Sequence, residues 1–251
     1  MPADHNRNAP MSLIAEIPAL GRDTMVVVRQ REPRFAVLLY AALSAAFFLY
    51  ALPTAGLFWT LFAVVLGIAT MPVVEFVVHK YVLHILVLAK TPATAQFWDR
   101  VHYAHHMEPK DPTVILAHPA STVLLVGVIG TIAWAIGIQP APMVGIAFAL
   151  FAFYEVVHFA CHMDYDFESH YFRMRRQAHA IHHYVDENRN FGITSSVADR
   201  LLGTIVGDKK ELKRSPTVRN LGYTGAFADR YPYLKRPDAP TEDSSTTKSP
   251  Q

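Results

Sequence analysis

The residues of this chain best suited to chemistry are its histidines, because most of the thirteen fall into four tight groups. The groups read HxxxxH, HxxHH, HxxxH and HxxHH, and they comprise His79, His84, His102, His105, His106, His158, His162, His179, His182 and His183. Residues three and four apart share a helix face, so each HxxHH can present its imidazoles on one stripe. Neutral imidazole binds iron, zinc and copper. The pattern therefore predicts a transition-metal site.

The number of histidines indicates two metal ions rather than one, each with four or five ligands. The first pair has an unusual spacing, because a step of five residues turns an ideal α-helix about 140° past a full turn. Either the helix loosens after Tyr81, or His79 and His84 bind different ions, and we favour the loosened helix. We expect no ligand role for His5, His118 and His170, which lie outside the four groups.

Two long uncharged runs must position these histidines. No Asp, Glu, Lys or Arg occurs between Arg34 and Glu75 or between Asp111 and Glu155. Each run is roughly twice the ~20 residues that one transmembrane helix needs. We therefore predict an all-α integral membrane bundle of four transmembrane helices in two hairpins. Their expected helices and turns are 35–52, 53–56, 57–84, 119–136, 137–142 and 143–162.

The basic residues near the helix ends predict the orientation in the membrane. They lie on one predicted side of the bundle, and the positive-inside rule makes that side cytoplasmic, together with both termini and the metal site. A cytoplasmic helical cap is expected to follow the fourth helix. The predicted organisation is an arm at 1–34, a membrane domain at 35–208 and an extension at 209–251, disordered from about 237. The formal net charge of +2 does not indicate a nucleic-acid partner.

Two carboxylates stand close to the histidine pairs. Glu75 precedes His79 by four residues, and Glu155 precedes His158 by three. Such carboxylates can accept the free ring N–H of a metal-bound histidine and fix its tautomer, which is the role we predict for both. Glu155 and His158 also match the ExxH of ferritin-like di-iron bundles. That fold needs the motif twice with two further glutamates, so the match is rejected.

The order of the four motifs on two membrane hairpins resembles the fatty acid hydroxylase and sterol desaturase superfamily. The segment Asn190–Ser196, followed by Asp199–Thr204, is similar to the FGITS…D…GT stretch common there. The resemblance covers roughly residues 70 to 208. It implies a membrane enzyme that uses O₂ and two electrons on an unactivated C–H bond of a lipid. It also implies two iron ions on the ten motif histidines, although zinc can occupy them in purified protein.

The resemblance leaves the substrate open, and we favour a fatty-acyl or sphingolipid-type chain over a sterol or carotenoid. Hydroxylation and desaturation are both possible. Because few residues precede His79, we expect no fused haem domain and a separate electron-donor protein. The main alternative of another class is a membrane zinc hydrolase, but its HExxH motif is absent from the sequence. A haem protein with paired axial histidines would leave most of the motif histidines without a role.

Overall fold

The computed structural model of the chain describes residues 12–208 and 212–234. Within these ranges it is all-helical, with no strand. The helices in chain order are α1 Leu13–Val28, α2 Arg31–Thr54, α3 Gly56–Val78, α4 Pro92–Trp98, α5 Ala104–Met107, α6 Pro112–Ile115, α7 Pro119–Ala135, α8 Pro140–His162, α9 His170–Tyr184, α10 Val197–Leu201 and α11 Gly225–Arg230. The predicted tail from about residue 237 lies outside the described residues.

Among the described residues, four helical segments are long and apolar enough to cross a membrane, which confirms the predicted fold class. They are Arg31–Thr54, Gly56–Lys90, Pro112–Ala135 and Pro140–His162. The outer surface of these segments carries exposed apolar side chains. Examples are Leu49, Phe58 and Val65, which are 72%, 71% and 68% exposed. Such side chains suit contact with lipid. The breaks between α2 and α3 and between α7 and α8 fall where Pro and Gly predicted turns.

The described helices of the bundle pack through a close contact at a glycine and through a buried interhelical hydrogen bond. A Cβ placed on Gly67 of α3 would come within 2.8 Å of Ile146 of α8, so glycine permits their close approach. Between α2 and α7, the buried Tyr40 hydroxyl lies 3.0 Å from Thr122 Oγ1. Helix α8 is the central element, since α2, α3 and α7 all pack against it.

The segment predicted as an arm contains α1, which docks onto the start of α9. Its Glu16 carboxylate accepts the backbone N–H groups of His170 and Tyr171, at 3.0 and 2.9 Å. Its Asp23 accepts the N–H of Ser169 at 2.7 Å. Because the first N–H groups of a helix lack intrahelical partners, these carboxylates stabilise the N-terminus of α9.

Candidate metal centre

The ten motif histidines converge into two adjacent clusters of five, and within each cluster the candidate ligand atoms all lie within 4.8 Å of one another. Cluster A comprises His79, His84, His102, His106 and His182. Cluster B comprises His105, His158, His162, His179 and His183. The two clusters touch where the His106 ring of cluster A contacts the His183 ring of cluster B, with ring centroids 4.2 Å apart. Each cluster therefore offers five candidate ligands for one ion.

The first histidine pair meets in one cluster because α3 loosens at its end. Residues His79–Leu83 form a π-helix, and the His84 N–H bonds to the His79 carbonyl at 3.2 Å. A π-helical turn joins residues five apart, so His79 and His84 lie one wide turn apart, with ring centroids at 4.9 Å. The interpretation of a loosened helix is confirmed, although the loosening begins at His79 rather than after Tyr81.

Each HxxHH divides its histidines between the clusters, which differs from the single stripe expected from the sequence. In the first motif His102 and His106 join cluster A, whereas His105 joins cluster B. The second motif does the reverse, since His179 and His183 join cluster B and His182 joins cluster A. A four-residue step keeps two side chains on one cluster, and the histidine between them turns toward the other.

Backbone carbonyls fix three rings of cluster A. The Nδ1 atoms of His79, His182 and His106 contact the carbonyls of Phe191, Arg189 and Val218 at 2.5, 2.8 and 3.2 Å. Because a carbonyl oxygen only accepts, each Nδ1 carries the proton and each Nε2 keeps a free lone pair. The His182 and His106 Nε2 atoms then face each other 3.2 Å apart, although neither can donate.

This arrangement fits a cation. Two imidazole nitrogens at about 2.1 Å from one ion and at right angles to each other are about 3.0 Å apart. In cluster B the corresponding Nε2 pairs, His105 with His158 and His162 with His179, are 3.0 and 2.9 Å apart. In addition, the buried Nε2 atoms of His79, His84 and His102 have no hydrogen-bond partner among the described residues. The donor set therefore suits two transition-metal ions.

Burial keeps the candidate ligands neutral. For the six cluster histidines outside the membrane-spanning segments, burial and, to a smaller extent, neighbouring imidazoles hold the pKa below its usual range. These are His102, His105, His106, His179, His182 and His183. For His182 burial lowers the pKa to about 4. Neutral imidazole is the form that binds a metal.

The structure corrects the expected partner of Glu75. Its carboxylate accepts the N–H groups of Ile193 and Thr194 and the Thr194 hydroxyl rather than a histidine ring N–H. The His79 ring N–H goes instead to the Phe191 carbonyl in the same loop. Glu75 therefore orients His79 only indirectly, by holding this loop. Glu155 Oε1 accepts the N–H of Ala117 at 3.1 Å.

The loop 190–194 has a shape that only glycine permits at its centre. Asp199 accepts the N–H groups of Phe191 and Gly192 at 2.9 and 2.7 Å, and Glu75 accepts the next two. A Cβ on Gly192 would lie 1.9 Å from the Ser195 carbonyl oxygen. The sequence indicated this segment only through its resemblance to a stretch of a known family. Nothing in the sequence indicated the carbonyl of Val218, which lies in the extension.

An apolar cavity of about 360 Å³ reaches both clusters from between α3, α7 and α8. Its lining includes His79 and His102 of cluster A and His158 of cluster B. Most other lining residues are aliphatic or aromatic, including Val74, Leu125 and Ile146. An apolar cavity that reaches candidate metal ligands suits a hydrocarbon chain.

Comparison with known proteins decides the family. The profile of the family described as fatty acid hydroxylase matches residues 64–204, more than half of the chain. The chain belongs to this family. The match confirms the resemblance predicted from the motifs, and it spans every motif histidine.

Three curated relatives are similar over the same region. The chain is 27% identical to dihydroceramide fatty acyl 2-hydroxylase FAH2 of Arabidopsis thaliana, over 61% of this chain and 64% of that protein. It is 30% identical to FAH1 of the same plant, over 60% and 63%, and 23% identical to human fatty acid 2-hydroxylase, over 59% and 40%. The chain thus spans less than two thirds of the length of these relatives.

A solved structure described as full-length scs7p, with only its hydroxylase domain visible, aligns over 80% of this chain and 67% of that one. The TM-score is 0.49 and the sequence identity 21%.

Proposed function

We propose that this chain is a membrane lipid hydroxylase that acts on a fatty-acyl chain at a di-iron centre held by the ten histidines of clusters A and B. The observation that carries the proposal is the apolar cavity that ends on both clusters. When bound, the two irons supply O₂ activation, in which two electrons and two protons leave one oxygen atom in a C–H bond and the other in water. Zinc is the metal we expect to replace iron during purification.

The protein's own contribution is to orient the substrate and exclude water. The cavity walls from α3, α7 and α8 align a hydrocarbon chain so that one carbon lies beside His79, His102 and His158. Polar groups in the lining include Tyr154, Glu75 and Ser121, which can contact the polar end of a lipid. The relatives named as dihydroceramide or fatty acyl 2-hydroxylases support an acyl chain over a sterol or carotenoid.

The carboxylates support the site in different ways. We assign Glu75 the role of holding loop 190–194, whose Phe191 carbonyl orients His79. Glu155 stays the candidate partner for His158 because it lies three residues earlier on α8; the structure shows no hydrogen bond between Glu155 Oε2 and His158 Nδ1, so a small side-chain rotation would have to join them. Neither carboxylate is assigned as a metal ligand.

The orientation and the electron supply are part of the same proposal. The positive-inside rule favours a cytoplasmic site and cytoplasmic termini, where a separate electron-donor protein can dock. Arg173 and Arg176 lie on α9, the helix that carries three of the ten motif histidines.

Lipid analysis tests the proposed function. Lipids from cells with and without the gene are compared by mass spectrometry, and we expect an acyl chain heavier by one oxygen atom only when the gene is present. His105→Ala should abolish this product, whereas His118→Ala, outside both clusters, should not. A loss of two hydrogens would instead indicate a desaturase, and a modified sterol or carotenoid would replace the acyl assignment.

The cavity can be tested separately through chain length. Ala147 lines it, so Ala147→Phe should shift hydroxylation toward shorter acyl chains while both metal ions stay bound. Val65→Phe is the matched control, because Val65 is 68% exposed on the lipid-facing surface. An unchanged chain-length profile in Ala147→Phe would contradict the assignment of this cavity to the acyl chain.

A further inference from the structure

A second cavity, of about 450 Å³, lies apart from the histidine clusters where α1, α9 and α10 meet. Unlike the apolar cavity, it is lined by basic and hydroxyl side chains, including Arg175, Arg200, His170, Ser195 and Ser196. The proposed hydroxylation uses none of these residues.

The guanidinium of Arg175 is buried with spare hydrogen-bonding capacity. Arg175 is only 9% exposed, and its Nη2 donates to Ser196 Oγ. Its Nη1 is buried and has no hydrogen-bond partner among the described residues. A buried cation is costly unless it is paired and hydrogen-bonded. Arg200, which is exposed on α10, adds a second positive charge at the same cavity.

The acidic side chain in the lining is already engaged. Glu16 accepts hydrogen bonds from the Ser169 hydroxyl and from the N–H groups of His170 and Tyr171, at 2.5, 3.0 and 2.9 Å. Its charge is therefore directed at the N-terminus of α9. The lining retains two guanidinium groups and two serine hydroxyls that can bind an anion, and a guanidinium fork fits phosphate oxygens closely.

Helices α1 and α10, which both contribute to the lining of this cavity, also carry exposed apolar side chains. On α10, Val197 and Leu201 are 52% and 77% exposed, and on α1, Ile14 and Ile17 are 86% and 62% exposed. Helix α10 packs against α3, one of the four membrane-spanning segments. A basic cavity between helices with exposed apolar side chains, near a membrane-spanning segment, has the chemistry that suits the lipid headgroup layer.

We propose that this cavity binds the phosphate of an anionic phospholipid. Arg175 and Arg200 pair with the phosphate oxygens, Ser195 and Ser196 donate hydroxyl hydrogen bonds, and the acyl tails lie along the exposed side chains of α1 and α10. The bound lipid joins α1 to α9 and α10, so its binding stabilises the fold. It is not the substrate, since the cavity contains none of the ten histidines.

Thermal unfolding of the full chain in neutral detergent tests the site. Phosphatidylglycerol, phosphatidylcholine and inorganic phosphate are titrated separately, and we expect only phosphatidylglycerol to raise the Tm. Arg200→Gln should require about tenfold more phosphatidylglycerol for the same rise, because a charge-assisted contact is lost. Ser195→Asp should abolish the rise by placing a negative charge in the cavity, although aspartate can still cap the Val197 N–H as Ser195 does.

Arg230→Gln is the matched control, since Arg230 is exposed on α11, away from the cavity, and should respond like the wild type. The proposal would be overturned if phosphatidylglycerol raised the Tm of Arg200→Gln and of Ser195→Asp as effectively as it raises the Tm of the wild type. An equal Tm rise with inorganic phosphate would also overturn it, in favour of a soluble anion. Because the readout needs no turnover, either failure leaves the proposed hydroxylase function untouched.

Discussion

Clusters A and B are built by the same rule but are held in place differently. Each takes two histidines from the end of a membrane span, two that are four residues apart in one HxxHH, and the middle histidine of the other HxxHH. In cluster A, three of the rings are held by backbone carbonyls from outside the membrane-spanning segments. These carbonyls belong to Phe191, Arg189 and Val218.

In cluster B, fewer ring nitrogens have such partners. A backbone hydrogen bond links His162 to Pro109. The Nδ1 atoms of His105, His158, His179 and His183 are buried without a hydrogen-bond partner among the described residues. Four of the five cluster B histidines lie on α8 and α9 themselves. Cluster A therefore depends on loop 190–194 and on the C-terminal extension, whereas cluster B depends mainly on the packing of two helices.

The largest effect that separates the clusters should come from Gly192→Ala. The added Cβ would meet the Ser195 carbonyl oxygen at 1.9 Å, so the loop must move and release the Phe191 carbonyl from His79. We expect loss of the cluster A metal and a fall of about 3 kcal/mol in the free energy of unfolding. Metal analysis and denaturant unfolding measure the two effects.

Gly127→Ala is the matched control, because nothing lies within 4 Å of the Cβ that it adds. It should keep the wild-type metal content and stability. Full metal content in Gly192→Ala would mean that this loop does not hold cluster A.

Next in size is the removal of one ligand from each cluster. His84→Ala and His162→Ala should each abolish the hydroxylated product and lower the metal content from two ions per chain to about one. Elemental analysis of the purified variants measures this, and thermal unfolding checks that the fold is retained. Loss of both ions from each variant would show that the two ions bind cooperatively as one unit. Retention of both ions would show that His84 and His162 are not ligands.

A smaller and more selective effect is expected from the two carboxylates. Glu75→Gln replaces an acceptor of three hydrogen bonds, so loop 190–194 should loosen and the metal affinity of cluster A should fall by about 10–100-fold. Competition with a metal chelator measures this loss. Glu155→Gln should act on cluster B, and less strongly, because Glu155 has one hydrogen-bond donor among the described residues. Equal effects on both clusters would contradict the distinction drawn between them.

The smallest effect should come from the C-terminal extension. Arg219 donates to the Met107 carbonyl and holds the neighbouring Val218 carbonyl against His106. Arg219→Gln should weaken cluster A a few-fold, by roughly 1 kcal/mol, with no change in cluster B. Chelator competition on this variant and on Lys213→Gln, an exposed control, makes the comparison. A matching loss in the control would point to a general effect of charge.

The sequence predicted which histidines come together, because metal chemistry leaves a local signal in the spacing of candidate ligands. Motif spacing identified the residues that meet in the clusters, and the five-residue step indicated the loosened end of α3. The division of each HxxHH between two clusters could not be predicted, because it depends on how α5 and α9 face each other. The carbonyl groups that accept from the histidine rings could not be predicted either, because every residue has a carbonyl and only the fold brings that of Val218 to His106.

The membrane helices were predicted closely because uncharged length is itself a physical requirement of the bilayer. The docking of α1 was not predicted. Its carboxylates, Glu16 and Asp23, look like ordinary surface charges in the sequence, and their role depends on the N-terminus of α9 lying beside them.

The most direct test is the metal content of the wild-type chain, isolated without oxygen and analysed by elemental and Mössbauer spectroscopy. We predict two iron ions per chain in histidine-rich environments. A single zinc ion, or no transition metal in any preparation, would contradict the di-iron assignment on which the proposed hydroxylase rests.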